Sequence, residues 1–178
     1  MLTLLPISPT LRVKIAASLL PLGAMLLVSS HAHAVAVGDM APECVLSSLA
    51  AGKDSRLSQY RGKIVYVDFW ASWCGPCAQS FPFLNALHQQ YQDQGLQIVG
   101  VNMDENKDEA SAFLAKIPAE FTIAADTSKQ CATDFAVQAM PSSYIIDRKG
   151  RVHHIHLGFR DGAAEELRTT VEQLLKAK

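Results

Sequence analysis

The sequence predicts an α/β fold, because apolar runs typical of buried strands alternate with stretches of helical periodicity. Residues 63–70, KIVYVDFW, form a nearly unbroken β-branched and aromatic run, which indicates a strand covered on both faces. From Pro76 to about Gln94, apolar residues recur at helical spacing, and a second buried strand is predicted over 96–102. The segment before residue 63 is expected to be irregular.

The rest of the chain continues the alternation. The predicted elements are a helix over 107–116 with Ala110, Phe113 and Leu114 inward, a short strand over 120–124, a helix over 127–135, strands over 143–147 and 152–157, and a final helix over 163–176. Residues 148–150, Arg-Lys-Gly, are a hairpin signal between the last two strands, which are therefore predicted to pair.

Two cysteines separated by Gly75 and Pro76 follow the first buried strand directly. Pro76 suits the first turn of a helix, so Cys74 is placed at the helix N-terminus, where free backbone N–H groups favour the thiolate. We interpret Cys74 as the attacking sulfur and Cys77, one turn further in, as the sulfur that resolves a mixed disulfide. The motif thus predicts a redox-active Cys74–Cys77 disulfide.

Other readings of this motif need partners that the sequence lacks. A zinc site would require a second Cys or His pair at ligand spacing, and a peroxiredoxin would require a Pro-x-x-x-Thr-x-x-Cys site. The remaining cysteines, Cys44 and Cys131, are far apart in sequence. They are expected either to stay buried thiols or to pair as a structural disulfide, without a part in turnover.

Further motifs identify the chain as a member of the thioredoxin superfamily that resembles its TlpA/ResA group. They are WCGPC at 73–77, Pro82, Met140-Pro141 before a strand, Ala41-Pro42, LSQYRGK at 57–63, and an inserted segment after Asn102. The resemblance implies a thioredoxin-like fold: a central mixed β-sheet flanked by helices, with a TlpA/ResA-type insertion. It covers the chain from about residue 41 to the C-terminus.

The resemblance also implies two catalytic carboxylates. Asp68, six residues before Cys74, matches the buried Asp that accepts a proton from the resolving thiol in thioredoxin, although it could instead be solvated at a strand end. Burial would raise the pKa of Asp68 toward that of a thiol. Glu105 matches a glutamate of ResA-like sites, but its carboxylate could equally complement a helix dipole. Thioredoxin's lysine near the buried Asp aligns with Gly100 here.

A substrate-binding surface is implied by the same comparison. It comprises Trp73, Gly75, Pro76, Met140 and Pro141, with the peptide bond between the last two cis and the backbone of Met140 beside the reactive cysteine. Sequence alone predicts only a turn there, because most X-Pro bonds are trans.

Three histidines near the C-terminus suggest a metal site at first sight. On a strand, His154 and His156 share one face and His153 points to the other. Without a neighbouring carboxylate or Cys in the sequence pattern, we expect a solvated edge and no metal. No cofactor is expected either.

The N-terminus has the layout of a signal peptide. Arg12 and Lys14 precede an apolar stretch over 15–28, and Ala-His-Ala at 32–34 offers a cleavage site. We therefore divide the chain into a leader over 1–34, alternatively retained as an anchor, and a thioredoxin-like domain over 35–178. Only two of the 16 Lys and Arg residues lie in the leader, so 14 basic and 17 acidic residues remain, which gives no indication of nucleic-acid binding.

Together these features predict an extracytoplasmic thiol-disulfide oxidoreductase, located in the periplasm or an equivalent compartment, that reduces protein disulfides. The resemblance implies as partners disulfide-containing exported proteins, such as apocytochrome c or copper-delivery proteins, and a membrane thiol reductase of DsbD/CcdA type. The alternative is a disulfide oxidase or isomerase for folding exported proteins. A non-catalytic binding module is a lesser alternative, because it would not need both cysteines.

Overall fold

A computed structural model describes residues 34–49 and 54–177. The predicted leader over 1–34 lies, except for its last residue, outside the described residues. Within them, the helices and strands follow in this order: β1 (Val45–Ser48), β2 (Ser55–Arg56), β3 (Ile64–Trp70), α1 (Gly75–Tyr91), β4 (Leu96–Asn102), α2 (Lys107–Lys116), β5 (Thr122–Ala125), α3 (Gln130–Asp134), β6 (Ser142–Ile146), β7 (Val152–Leu157) and α4 (Ala163–Lys176).

The strands form one mixed sheet in the order β2-β1-β5-β4-β3-β6-β7. The pairs β3–β4 and β4–β5 are parallel and the other pairs are antiparallel, which confirms the predicted mixed α/β sheet. Every residue of β3 is buried, as the run KIVYVDFW predicts for a central strand. The site motif therefore follows the carboxyl end of a strand that is buried along its whole length.

The side chains of β3 point alternately into two hydrophobic cores, one on each side of the sheet. Tyr66 and Trp70 face the core that contains Cys77 and the apolar side of α1, whereas Val67 and Phe69 face the core on the other side of the sheet. Because side chains alternate along a strand, Asp68 lies on the α1 side, between Tyr66 and Trp70.

The N-terminal segment is more regular than the sequence predicts. Residues 45–48 and 55–56 form the strands β1 and β2, and a short 3₁₀ helix covers Leu57–Tyr60. These strands are too short, with four and two residues, to show the alternation of a half-buried strand. Their strand conformation depends on pairing with β5 and with each other, which is tertiary information.

The other element boundaries differ from the predicted ones by a few residues. The first helix ends at Tyr91 and is followed by a 3₁₀ turn over Gln92–Gln94, which stops at Gly95 with φ of 100°. The segment predicted as helix over 127–135 is helical only over Gln130–Asp134. Among the described residues, no helix has both the length and the apolar character that crossing a bilayer requires.

Candidate active site

The Cys74–Cys77 pair forms a disulfide at the start of α1. Cys74 is the N-cap residue of this helix, and the backbone N–H of Cys77 donates to its Sγ at 3.2 Å. Pro76 occupies the first turn, as its missing N–H allows. In the reduced state the same N–H and the helix dipole would stabilise a thiolate on Cys74.

Accessibility separates the two cysteines only slightly in this oxidised form. Cys74 is 5% exposed and Cys77 is 0% exposed. Both sulfurs are thus buried in the oxidised form, and Cys74 is the more exposed of the two. Gly75 and Pro76 are exposed beside it.

A carboxylate that the sequence analysis did not single out, Asp104, fixes the loop before the disulfide. Asp104 accepts hydrogen bonds from the backbone N–H of Ser72 at 3.0 and 3.1 Å and from its hydroxyl at 3.0 Å. Asn102 Nδ2 donates to the same carboxylate at 2.8 Å. Asp104 thus ties the loop that carries Trp73 and Cys74 to the end of β4. Its position after a parallel strand was the available signal, because the carboxyl ends of β3 and β4 meet at one edge of the sheet.

Asp68 is buried, as the resemblance implies. Burial raises the pKa of this carboxyl from 3.8 to about 7, although a hydrogen bond from Ser143 opposes the rise. The Ser143 hydroxyl donates to Asp68 Oδ1 at 2.7 Å and accepts from the Tyr66 hydroxyl at 3.0 Å. Asp68 Oδ2 has no hydrogen-bond partner among the described residues. One oxygen of Asp68 is thus held by a fixed donor chain and the other is available to take a proton.

The β4 residue paired with Asp68 is Gly100. A Cβ on this glycine would lie 2.9 Å from Ile123, 3.0 Å from Phe121 and 3.3 Å from Trp70. Apolar side chains therefore fill the space beside Asp68 in which the resemblance would place the lysine of thioredoxin. Their presence is consistent with the desolvation that raises the pKa of Asp68.

Glu105, the second predicted carboxylate, is exposed just before Asn106, the N-cap residue of α2. It makes no side-chain hydrogen bond with another described residue, whereas its neighbour Asp104 makes several. The structure brings Asp68 to the α1 side of the sheet with Cys77, and it leaves Glu105 in solvent.

An open apolar groove includes Trp73, the residue before Cys74, in its lining. It has a volume of about 440 Å³, and its lining comprises Trp73, Met103, Ala132, Val137, Gln138, Ala139 and Met140. Trp73 is 71% exposed, which is unusual for an indole, and the Met140–Pro141 peptide bond is cis. Pro141 itself is buried. Two of the predicted substrate-binding residues, Trp73 and Met140, thus share one groove.

Cys44 and Cys131 form the second disulfide. Both are 2% exposed and lie in the core on the face of the sheet opposite to Cys77. The sequence left open whether these cysteines stay buried thiols or form a structural disulfide, and the structure has the disulfide. It links the segment before β1 to α3 and lies in a different core from the redox pair.

The histidines correct one expectation. His154 and His156 do lie on one side of β7 and His153 is exposed, but the first two have a carboxylate neighbour after all. Glu166 of α4 places its carboxylate 3.3 Å from His154 Nε2 and 3.8 Å from His156 Nδ1. The docking of α4 on the sheet brings it there, which no local sequence pattern indicates.

Comparison with known proteins places this geometry in context. The family model described as Redoxin matches residues 36–174. The thiol-disulfide oxidoreductase ResA of Geobacillus thermodenitrificans (strain NG80-2) is 40% identical over 125 residues, covering 70% of this chain and 71% of that protein. ResA of Bacillus subtilis (strain 168) is 31% identical over 126 residues, covering 71% of this chain and 70% of that protein.

Solved structures show the same fold. A crystal structure assigned as the thiol:disulfide interchange protein DsbE of Chlorobium tepidum superposes with a TM-score of 0.76 at 43% identity. The match covers 80% of this chain and 99% of that one. The thioredoxin-like fold predicted from the sequence is therefore confirmed.

Proposed function

This chain belongs to the redoxin family and is a ResA-like thiol-disulfide oxidoreductase, and we propose that it acts outside the cytoplasm as a reductant of protein disulfides. The observation that carries the proposal is the position of Cys74 Sγ at the N-cap of α1, where it accepts the Cys77 N–H, while Cys77 is buried one turn further in. This arrangement favours a thiolate on Cys74 and leaves Cys77 as the more deeply buried thiol.

The proposed reaction has two exchange steps. The Cys74 thiolate attacks one sulfur of the substrate disulfide, so that a Cys74–substrate disulfide forms and the other substrate sulfur leaves as a thiolate. Cys77 then loses its proton and attacks Cys74 Sγ, which forms the Cys74–Cys77 disulfide and releases the second substrate thiolate. Two electrons pass from the enzyme dithiol to the substrate, the Cys77 proton is taken up within the site, and the two released substrate thiolates take protons from solvent.

We assign the proton transfer in the second step to Asp68. Its Oδ2 has no partner, its Oδ1 is held by Ser143, and its pKa of about 7 suits exchange with a thiol near neutral pH. Cys77 and Asp68 lie on the same side of β3, as the division of the core indicates. Glu105, which is exposed, stays a candidate second catalytic carboxylate.

The groove beside Trp73 is proposed to hold the polypeptide segment that carries the substrate disulfide. Its apolar lining suits an extended segment, and Met140, which lines the groove two residues before β6, is proposed to pair with that segment through its backbone. Gly75 and Pro76 are exposed next to Cys74, and neither has a long side chain that would hinder a substrate there. Apocytochrome c and copper-delivery proteins are proposed substrates, and a membrane thiol reductase of DsbD/CcdA type is the proposed electron donor.

Two features support an extracytoplasmic location. The leader over 1–34 has the layout of a signal peptide, whether cleaved or retained as an anchor. The Cys44–Cys131 bridge is buried, and structural disulfides persist in oxidising compartments.

The reduction potential of the Cys74–Cys77 couple tests the direction of electron flow. The Gly-Pro dipeptide is that of thioredoxin, whose potential is about −270 mV, against about −120 mV for the oxidant DsbA. That gap of about 150 mV corresponds to about 7 kcal/mol, which decides the direction. Equilibration in dithiol and glutathione buffers, followed by the fluorescence of Trp70 and Trp73, should give a value near that of thioredoxin. A value near that of DsbA would instead establish the oxidase alternative.

A further inference from the structure

Three metal-ligating side chains converge at the β7 edge of the sheet. His154 and His156 project from one side of β7, and Glu166 projects from the first turn of α4. His154 Nε2 lies 3.3 Å from Glu166 Oε1, and His156 Nδ1 lies 3.8 Å from Oε2. All three ligand atoms lie within 4.8 Å of one another.

The buried end of this cluster has an unsatisfied atom. His154 Nε2 is buried and has no hydrogen-bond partner among the described residues, despite its short distance to Glu166. A carboxylate has only acceptor oxygens, and a neutral imidazole presents one nitrogen as an acceptor. Where such lone pairs converge, a cation satisfies all of them at once, whereas an unpaired buried polar atom destabilises the fold.

From this geometry we propose that His154, His156 and Glu166 bind a divalent late transition-metal ion, and we use Zn²⁺ to test the site. Two imidazole nitrogens and one carboxylate oxygen are a common set of zinc ligands, with a fourth position left to water. A cavity of about 430 Å³, also lined by Arg160 and Asp161, opens beside the cluster and leaves room for that water.

Binding requires only a small contraction of the cluster. Bonds of about 2.0 to 2.1 Å in a tetrahedral site place ligand atoms about 3.3 Å apart, and the present ligand atoms lie within 4.8 Å of one another, so no separation has to close by more than about 1.5 Å. Glu166 can move toward the two imidazoles, because its side chain is 54% exposed. The pairing of β7 with β6 fixes the backbone positions of the two histidines, and rotation about their side-chain bonds brings the ring nitrogens together.

A bound ion would link the edge strand of the described sheet to α4. It would bind the folded state alone, because the unfolded chain does not hold the three ligands together, and so it would raise the melting temperature with increasing metal concentration. The site is independent of the disulfide chemistry, since none of its ligands belongs to the proposed exchange steps.

Zinc titration of the full-length protein tests the proposal. The protein is used without a histidine tag and in the oxidised form, so that no thiol competes for the metal. His31→Ala and His33→Ala are present in every sample to remove the leader histidines. Calorimetry with Zn²⁺ alone should show one site per chain, accompanied by a rise in melting temperature of several degrees.

The matched control is His153→Gln, on the same strand but with its side chain exposed. It should leave zinc affinity unchanged, whereas His154→Gln and His156→Gln should each weaken it by at least about tenfold, the smallest loss typical of removing even an outer-shell partner. Glu166→Gln should have the same effect and, being at an exposed position, keeps the test valid if a histidine variant fails to fold.

The proposal is overturned if the parent protein takes up no zinc at millimolar concentration, or if folded Glu166→Gln binds as tightly as the parent. It is equally overturned if His153→Gln loses as much affinity as the other histidine variants, because the metal would then bind the strand elsewhere.

Discussion

Replacing Asp68 with Asn removes a buried charge and leaves a side chain of nearly the same shape. In the folded protein the carboxyl is 1% exposed and has one hydrogen-bonded oxygen. The structure predicts two separable consequences: a change in how stability depends on pH, and a slower resolving step in catalysis.

The stability effect follows from the raised pKa. Burial raises the pKa of Asp68 from 3.8 to about 7, so the folded state holds this proton more tightly than the unfolded state does. The stabilisation of the folded state by this proton is fully present below pH 3.8 and is lost as pH rises through about 7. A shift of this size corresponds to about 4 kcal/mol, at 1.36 kcal/mol per pKa unit. The free energy of unfolding of Asp68→Asn, relative to that of wild type, should therefore rise by up to about 4 kcal/mol between pH 4 and pH 9.

Urea denaturation of the oxidised protein measures this gain, since no thiol then titrates. Burial raises the pKa of Tyr66 well above 10, so its hydroxyl stays neutral at pH 9. Asp93→Asn, at an exposed position, is the matched control and should follow the pH profile of wild type. If the unfolding free energies of wild type and Asp68→Asn change with pH in parallel, Asp68 does not have the raised pKa and the reasoning fails.

The kinetic effect should appear in the second exchange step. Without the carboxylate, Cys77 loses its proposed proton acceptor, and resolution should slow by about 100-fold, the lower end of what a positioned base contributes. Stopped-flow mixing of the reduced variant with a disulfide substrate near neutral pH should then show accumulation of the mixed disulfide on Cys74. If the variant and wild type resolve the mixed disulfide at the same rate, Asp68 has only a structural role.

Three further predictions concern the cysteines and the loop. In the reduced protein, limiting alkylating reagent followed by peptide mapping should label Cys74, and preferential labelling of Cys77 would reverse the assigned roles. The double variant Cys44→Ser, Cys131→Ser should keep its turnover at permissive temperature. Its free energy of unfolding, measured by chemical denaturation, should fall by up to about 4.6 kcal/mol, because the bridge closes a loop with a sequence separation of 87. Loss of turnover in the folded variant would show that this pair takes part in catalysis. Asp104→Asn should lower the unfolding free energy by about 2 kcal/mol and slow substrate reduction several-fold, and unchanged values of both would show that the loop needs no such anchor.

Local sequence determined the elements on which the site rests. The run KIVYVDFW predicted a buried strand through its β-branched and aromatic residues, and Pro76 predicted a helix start at the cysteine pair, because both signals depend on residues that are neighbours in the chain. The structure has β3 and α1 where these patterns place them. The conformations of β1 and β2 could not be predicted, since they depend on pairing partners remote in sequence.

The surroundings of the reacting groups were decided by tertiary structure. Ser143 reaches Asp68 across 75 residues, and Asp104 reaches the active-site loop across 32. The bridge from Cys44 to Cys131 and the approach of Glu166 to the histidines likewise arise from docking between elements. Periodicity and capping report which face of an element is buried, but not which polar side chain faces it from another element. The sequence alone therefore indicated the residues of exchange chemistry, and the packed sheet decided the proton acceptor's environment and the candidate metal ligands.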